Sequence, residues 1–364
     1  MGKNECRMWP FERCINKVKY TNRIPSRDFK ESGKFPIISQ EESFISGYWD
    51  NPMDVFHVEN PVVIFGDHSR HVKYVDFDFV IGADGVKILS PVKEIVPKYF
   101  FYFLKWVKVL SLGYSRHYKA LKEKTVPVPS ITEQQRIVEE LDLLSGIIEK
   151  KKAQAGTLDN LARSFFYEMF GNPILNERHW PTQKMKDVAP RNKFNGQIPD
   201  ERGKYWLLNL DMIESQTGNI LEKVLFDSAE IGNSTTTFNE ENILYSKLRP
   251  YLNKVVIPME PGYCTSELVP LLPKKNLVDR IFLAYLLRSP HFVEYINSRV
   301  AGAKMPRVNM TDFREVDVIL PPIELQQQFA RKIEAITKHK ETINTSIIPA
   351  QELFDSRLDT YFNE

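Results

Sequence analysis

The residues whose types suit chemistry are few, and their spacing argues against catalysis. His68-Ser69-Arg70-His71 sets two histidines three apart, but no metal-ligand motif completes the pair, and it reads as a loop. Pro199-Asp200 has the form in which nuclease metal sites begin, yet no [DE]-x-K follows it before Gly262. Neither G-x-x-x-x-G-K-[ST] nor G-x-G-x-x-G is present, so no phosphate cradle is written. The Asn-Pro-Pro-aromatic motif of amino-directed DNA methyltransferases is missing, and Pro321-Pro322 follows Leu320 instead. Cys6, Cys14 and Cys264 are odd in number and lack metal-ligand spacing, so they read as structural thiols in a reducing compartment. No catalytic residue and no metal site is expected. Binding is the chemistry that remains.

A chain of 364 residues with 42% hydrophobic and 12% aromatic content can bury two ordinary cores. The charges nearly cancel, 49 Lys+Arg against 47 Asp+Glu, so any case for nucleic acid has to be local. The first residues carry no signal-peptide pattern. The apolar run Tyr99 to Leu104 stops at Lys105, far short of the roughly 20 residues that span a bilayer. A cytoplasmic protein without a membrane partner is expected.

The chain is written twice. Val126-Pro127-Val128-Pro129-Ser130-Ile131-Thr132-Glu133-Gln134-Gln135 returns as Val318-Ile319-Leu320-Pro321-Pro322-Ile323-Glu324-Leu325-Gln326-Gln327, offset by 192 (321 − 129). Earlier matches run in the same order: Glu31 to Ile38 with Glu201 to Leu208, offset 170 (201 − 31), and Val63-Ile64-Phe65 with Ile243-Leu244-Tyr245, offset 180 (243 − 63). Tyr102-Phe103-Leu104 matches Tyr285-Leu286-Leu287 at 183 (285 − 102). Trp9-Pro10 and Trp180-Pro181 open the two copies. The stepwise growth of the offset is what loop insertions in a duplicated domain produce.

Each copy ends in a heptad pattern. Apolar residues at 137, 141, 144, 148, 155, 158, 162, 165 and 169 alternate steps of four and three, with Lys151 interrupting. The second series is Phe329, Ile333, Ile336, Lys340, Ile343, Ile347, Ala350, Phe354, Arg357 and Tyr361, with Lys340 in the place of Ile148. The spacing predicts two long helices whose seams pair antiparallel as a coiled coil; periodicity alone leaves open helices that lie on their own domains. Thr132 is expected to cap the first helix with Gln135 reaching back. Gly156-Thr157 and the matching Ile348-Pro349 predict a kink or break.

The heads read as α+β, with strands at about Val62 to Phe65, Val75 to Ile81, Leu207 to Leu210 and Asn253 to Ile257, and apolar helices at about Lys98 to Val109 and Val278 to Leu287. The expected division is a first head over 1–131, a helix over 132–172, a second head over 173–323 and a helix over 324–364.

Two heads, each followed by a proline-ended strand, an E-Q-Q-type helix start and a heptad helix, resemble the specificity (S) subunits of type I restriction-modification systems. Pro127 to Val138 and Phe165-Phe166-Tyr167-Glu168-Met169-Phe170-Gly171-Asn172-Pro173 carry the likeness most specifically. Leu325, Gln328 and Pro349 depart from the pattern in the second copy. The resemblance implies a non-catalytic subunit that reads a split target in double-stranded DNA through two target-recognition domains, with the paired helices setting the unread spacer. It implies no cofactor on this chain: S-adenosylmethionine would belong to partner modification (methyltransferase) subunits, and ATP with Mg to partner restriction (translocase and nuclease) subunits.

The resemblance directs attention to cations set among small residues, where backbone can approach a groove and arginine can address guanine or phosphate. In the second head these are Lys247, Arg249 and Lys254, then Lys304 and Arg307; the matching places in the first hold Arg70 and Lys73, then Arg116, His117 and Lys119. For any one of them a solvated surface charge is the competing reading. Rivals to the whole account are a two-headed protein-binding scaffold without DNA specificity and a fragment of a fused enzyme.

Overall fold

The computed structural model describes residues 6–83, 85–107, 116–232, 234–300 and 305–363. Residue contacts divide the chain into two units, Met1–Ala153 with Asn344–Glu364, and Gln154–Ile343. Both are α+β. Two helices of 40 residues, Ile131–Phe170 and Ile323–Phe362, each contribute a segment to each unit.

In the first unit the strand Val62–Gly66 is buried throughout and runs antiparallel between Val86–Pro91 and Val72–Val75. Such an unbroken apolar run suits a strand covered on both faces. A second sheet centres on Phe79–Gly82, parallel to Arg23–Ile24 and Phe35–Ile38. The helix Pro97–Trp106 begins on a proline, harmless where the first N–H has no helical partner, and buries Tyr99, Phe100, Tyr102 and Phe103. Phe11, Val126, Leu141 and Ile148 join these rings in one core with Phe354, Leu358 and Phe362 of the second long helix. Each fully buried ring contributes about 1.5–3 kcal/mol, so the long helices are part of the unit's core.

The second unit repeats this plan. Ile243–Ser246 lies antiparallel between Val255–Val256 and Leu268–Leu271, and Lys204–Leu208 runs parallel to Gly262–Thr265. The helix Arg280–Arg288 buries Phe282, Leu283, Leu286 and Leu287 against Phe166 and Phe170 of the first long helix and Phe329 and Ile333 of the second. In each unit an opening strand also pairs antiparallel with the strand that leads into a long helix: Arg7–Pro10 with Thr125–Val128, and Thr182–Lys184 with Asp317–Ile319. Trp9-Pro10 lies in the first opening strand, and Trp180-Pro181 immediately precedes the second.

Several expectations change. The run Val75 to Ile81 is two strands in different sheets, Val72–Val75 and Phe79–Gly82. Between them, Asp78 accepts hydrogen bonds from His57 and the Val58 N–H, which fixes a turn there. The run from Asn253 shortens to Val255–Val256, because Asn253 is left-handed (φ 50°) and leaves the strand conformation. The first long helix starts at Ile131, and its cap is Ser130, whose Oγ accepts from Glu133 N at 3.3 Å. Thr132 is already helical. Neither helix breaks: the first continues through Gly156 and the second through Pro349. Cys14 and Cys264 are buried, and burial pushes both thiols up to about 12.

Candidate nucleic-acid interface

The second unit gathers the expected cations most fully. The chain leaves Ile243–Ser246 and turns at Lys247 to Asn253, and the segment Pro306 to Val308 lies against that turn. Val308 N donates to Lys247 O at 2.8 Å, Arg249 N donates to Pro306 O at 2.8 Å, and Leu248 and Arg307 form a β-bridge. These backbone links bring Lys247, Arg249 and Arg307 to one edge although about sixty residues of sequence separate them. Arg249 is exposed and left-handed (φ 49°). Arg307 is exposed and donates from Nη2 to Glu267 Oε1 at 2.8 Å.

The first unit has the same arrangement. Its buried strand Val62–Gly66 is followed by a turn containing exposed, left-handed Arg70 (φ 64°). His117 N donates to Asp67 O at 2.9 Å, the counterpart of Val308 to Lys247, and Tyr118 N donates to Asp67 Oδ1 at 2.8 Å. Arg116 and Lys119 flank this junction and are exposed. A non-glycine residue with positive φ is uncommon, and such strain concentrates at functional sites. A third exposed arginine in that state, Arg202 (φ 58°), lies in a different turn, so the signal is the recurrence of Arg70 and Arg249 in the equivalent turn of each unit.

Three of the expected contacts are turned inward, which corrects their assignment as DNA-facing charges. Lys73 is 5% exposed; its ammonium donates to Ser39 O at 2.9 Å and also to Ser43 O, and burial pulls its pKa below the usual lysine range. Lys254 donates to Leu210 O at 2.6 Å and is likewise lowered by burial. His117 is 1% exposed, with Nδ1 2.9 Å from Asp67 O. These groups brace the loops that carry the exposed arginines. Lys304 lies outside the described residues.

A second pair of groups ties each head to its long helix. Gln134, 0% exposed, accepts from Val96 N at 2.8 Å and donates to Glu94 O and Pro129 O at 3.0 Å each. Gln326, also 0% exposed, accepts from Asp279 N at 2.8 Å and donates to Leu277 O at 3.2 Å and Pro321 O at 2.7 Å. Val96 and Asp279 are the N-cap residues of the two apolar helices. The repeated Gln-Gln motif is therefore a latch: its first amide satisfies the N–H of the helix's N-cap residue and two carbonyls. Sequence reasoning found the motif and missed this role.

Residues 15–155 and 177–350 match the type I restriction modification DNA specificity domain. The chain is 24% identical over 258 residues to the EcoDI type I restriction enzyme specificity subunit of Escherichia coli, covering 61% of this chain and 57% of that one. It is 21% identical over 360 residues to the EcoR124I/EcoR124II specificity subunit of Escherichia coli, covering 89% and 83%. The MjaIX specificity subunit of Methanocaldococcus jannaschii is 23% identical over 288 residues, 69% of this chain and 65% of that one. The chain thus spans less than two thirds of the EcoDI and MjaIX subunits. Its fold is similar to the crystal structure of the type I restriction-modification S subunit from M. genitalium, with a TM-score of 0.58 and 14% identity over 100% of this chain and 97% of that one. Among the described residues no helix is long and apolar enough to cross a membrane.

Proposed function

The chain belongs to the type I restriction modification DNA specificity family, and from that premise we propose that it reads a two-part DNA target, one half through each unit, and carries no catalytic step itself. Partner modification subunits would methylate adenine from S-adenosylmethionine, and partner restriction subunits would use ATP to translocate and cleave. This chain supplies the address.

One observation carries the reading. The same construction occurs twice, a buried strand running into a turn that holds a left-handed, exposed arginine and is clamped by a backbone hydrogen bond from a second cation-bearing segment. A protein-binding scaffold has no need of duplicated cationic turns, whereas a reader of two half-sites needs one on each head. Phosphate contacts would position these edges, and arginine side chains would read bases in the major groove.

In this reading the long helices pair antiparallel as a coiled coil and set the unread spacer. In support, within the first unit Glu140 accepts from Tyr361 and lies 2.8 Å from Arg357, while Lys151 Nζ lies 2.6 Å from Ser346 Oγ. Partner numbers fall as the first helix advances, the order that antiparallel helices require. The polar seam residues Lys151 and Lys340 each find a partner on the other helix. Exposed Leu143, Ile147, Ile348 and Leu353 on the helices are apolar surface of the kind partner subunits cover.

The test is binding of the chain, assembled with its modification subunits, to a DNA duplex across a salt series. A DNA reader loses affinity steeply as salt rises, because phosphate contacts release counterions. Binding that ignores salt and sequence would favour the scaffold.

A further inference from the structure

We propose that Glu267 is a specificity-positioning residue, which holds Arg307 in the orientation in which it addresses the DNA. The inference rests on the reading above, that this edge of the second unit meets nucleic acid.

Glu267 sits between the strands Gly262–Thr265 and Leu268–Leu271, and its carbonyl accepts from Lys247 N at 3.0 Å. Its side chain is 21% exposed while that of Arg307 is 57% exposed. The anchor is thus largely inside and the arginine largely outside. The contact uses Arg307 Nη2 and Glu267 Oε1, and Glu267 Oε2 is buried without a hydrogen-bond partner among the described residues.

Two consequences follow. First, Arg307 cannot swing away without stranding a largely buried carboxylate whose other oxygen has no donor among the described residues, so the ion pair resists rearrangement. A long, flexible side chain is thereby ordered before DNA arrives. Second, the guanidinium has five N–H donors, and a one-oxygen contact leaves enough of them for a bidentate approach to guanine, which needs two. A fork-to-fork pair with both carboxylate oxygens would take a second donor and commit one whole edge of the guanidinium to the glutamate, so the one-oxygen contact leaves more of the arginine free to turn toward a base. Electrostatics points the same way. A carboxylate among Lys247, Arg249 and Arg307 opposes phosphate binding, so its presence is explained by orientation rather than affinity.

The experiment uses the full chain assembled with its modification subunits on a library of duplexes randomised through the target, with methylation read at each sequence. Arg307→Ala should lower discrimination at one position of one half-site by roughly tenfold. Glu267→Ala should relax the same position, the double variant should lose no more than Arg307→Ala, and the other half-site should be untouched. Glu267→Gln, whose amide oxygen still accepts from Nη2, should restore most of the discrimination that Glu267→Ala loses. Unfolding midpoints and the untouched half-site control for a merely destabilised protein. The inference is overturned if Glu267→Ala leaves base preference unchanged while Arg307→Ala alters it, if losses in the double variant add, or if both half-sites suffer equally. Absence of any sequence preference in the unaltered chain would instead overturn the function on which the inference rests.

Discussion

Lys340 Nζ lies 2.7 and 2.8 Å from the two carboxylate oxygens of Asp159. Lys340 occupies the place in the second heptad seam that Ile148 holds in the first, so a charge stands where a hydrophobe would pack. Asp159, on the first long helix, answers that charge within the second unit. With side chains 20% and 35% exposed, the pair is partly desolvated, and losing one member costs more than losing both.

Asp159→Ala should therefore destabilise the second unit by about 1–2 kcal/mol, below the range for fully buried pairs because water screens this one. Asp159→Ala with Lys340→Ile should recover most of the loss. Denaturant unfolding measures both; a neutral Asp159→Ala would mean that the contact does not stabilise the seam.

The two glutamine latches give a matched pair of tests. Gln134→Ala and Gln326→Ala each leave one N–H and two carbonyls without their partner, and each should cost about 2–4 kcal/mol. Gln→Glu preserves size but turns an oxygen toward two carbonyl oxygens, and should be at least as damaging. Unfolding of the single variants would show it, and losses under about 0.5 kcal/mol would remove the latch from the account.

The left-handed arginines separate stability from recognition. Arg249→Gly relieves a strained φ of 49° and should leave stability unchanged or raise it by up to about 1 kcal/mol. The same change should weaken recognition of one half-site by about 1–3 kcal/mol. Arg70→Gly should do likewise for the other half-site. Equal weakening at both half-sites by either variant would contradict the assignment of one half to each unit.

Acid should weaken the first unit. Trp49, then Asn22, donate to Asp54 and hold its carboxyl below the usual aspartate range; the Lys30 side chain, then the Lys34 N–H, do so for Asp50, and Val58 N–H, then His57, for Asp78. A depressed folded pKa contributes stability that is complete above the unfolded value of about 3.9 and lost as pH falls through the lower folded value. Asp54→Asn should be less stable than the unaltered chain at pH 7, and the gap should narrow below about pH 4. Denaturant unfolding of both chains across a pH series measures the gap; a gap that stays constant would contradict the linkage.

Much of the architecture was legible because it is periodic or repeated. Heptads mark both long helices, and the offset of 192 that links Pro129 to Pro321 also links Gln134 to Gln326. The apolar helices end within a few residues of expectation, at Trp106 and Arg288. What stayed hidden depends on partners far along the chain. Lys73 reads as a surface cation until Ser39 O and Ser43 O are placed around it, and Lys254 until Leu210 O is. The cap was misplaced by two residues, since Ser130 and Thr132 are chemically equivalent caps and Pro129 before Ser130 gave no way to choose. Glu267 belongs to no motif, and its importance comes only from the fold that sets it beside Arg307.

A split target with a spacer set by the long helices would be visible in a methylation map of cells that carry this chain with its modification subunits. The map should show two short half-sites separated by a fixed number of unread base pairs. One heptad added to each long helix, after Glu149 and after Ile347, lengthens the pair by about 10 Å while preserving the seams. The spacer should grow by about three base pairs at about 3.4 Å each, with both half-sites unchanged. A contiguous target, methylation without sequence preference, or a spacer that does not move with the helices would contradict it.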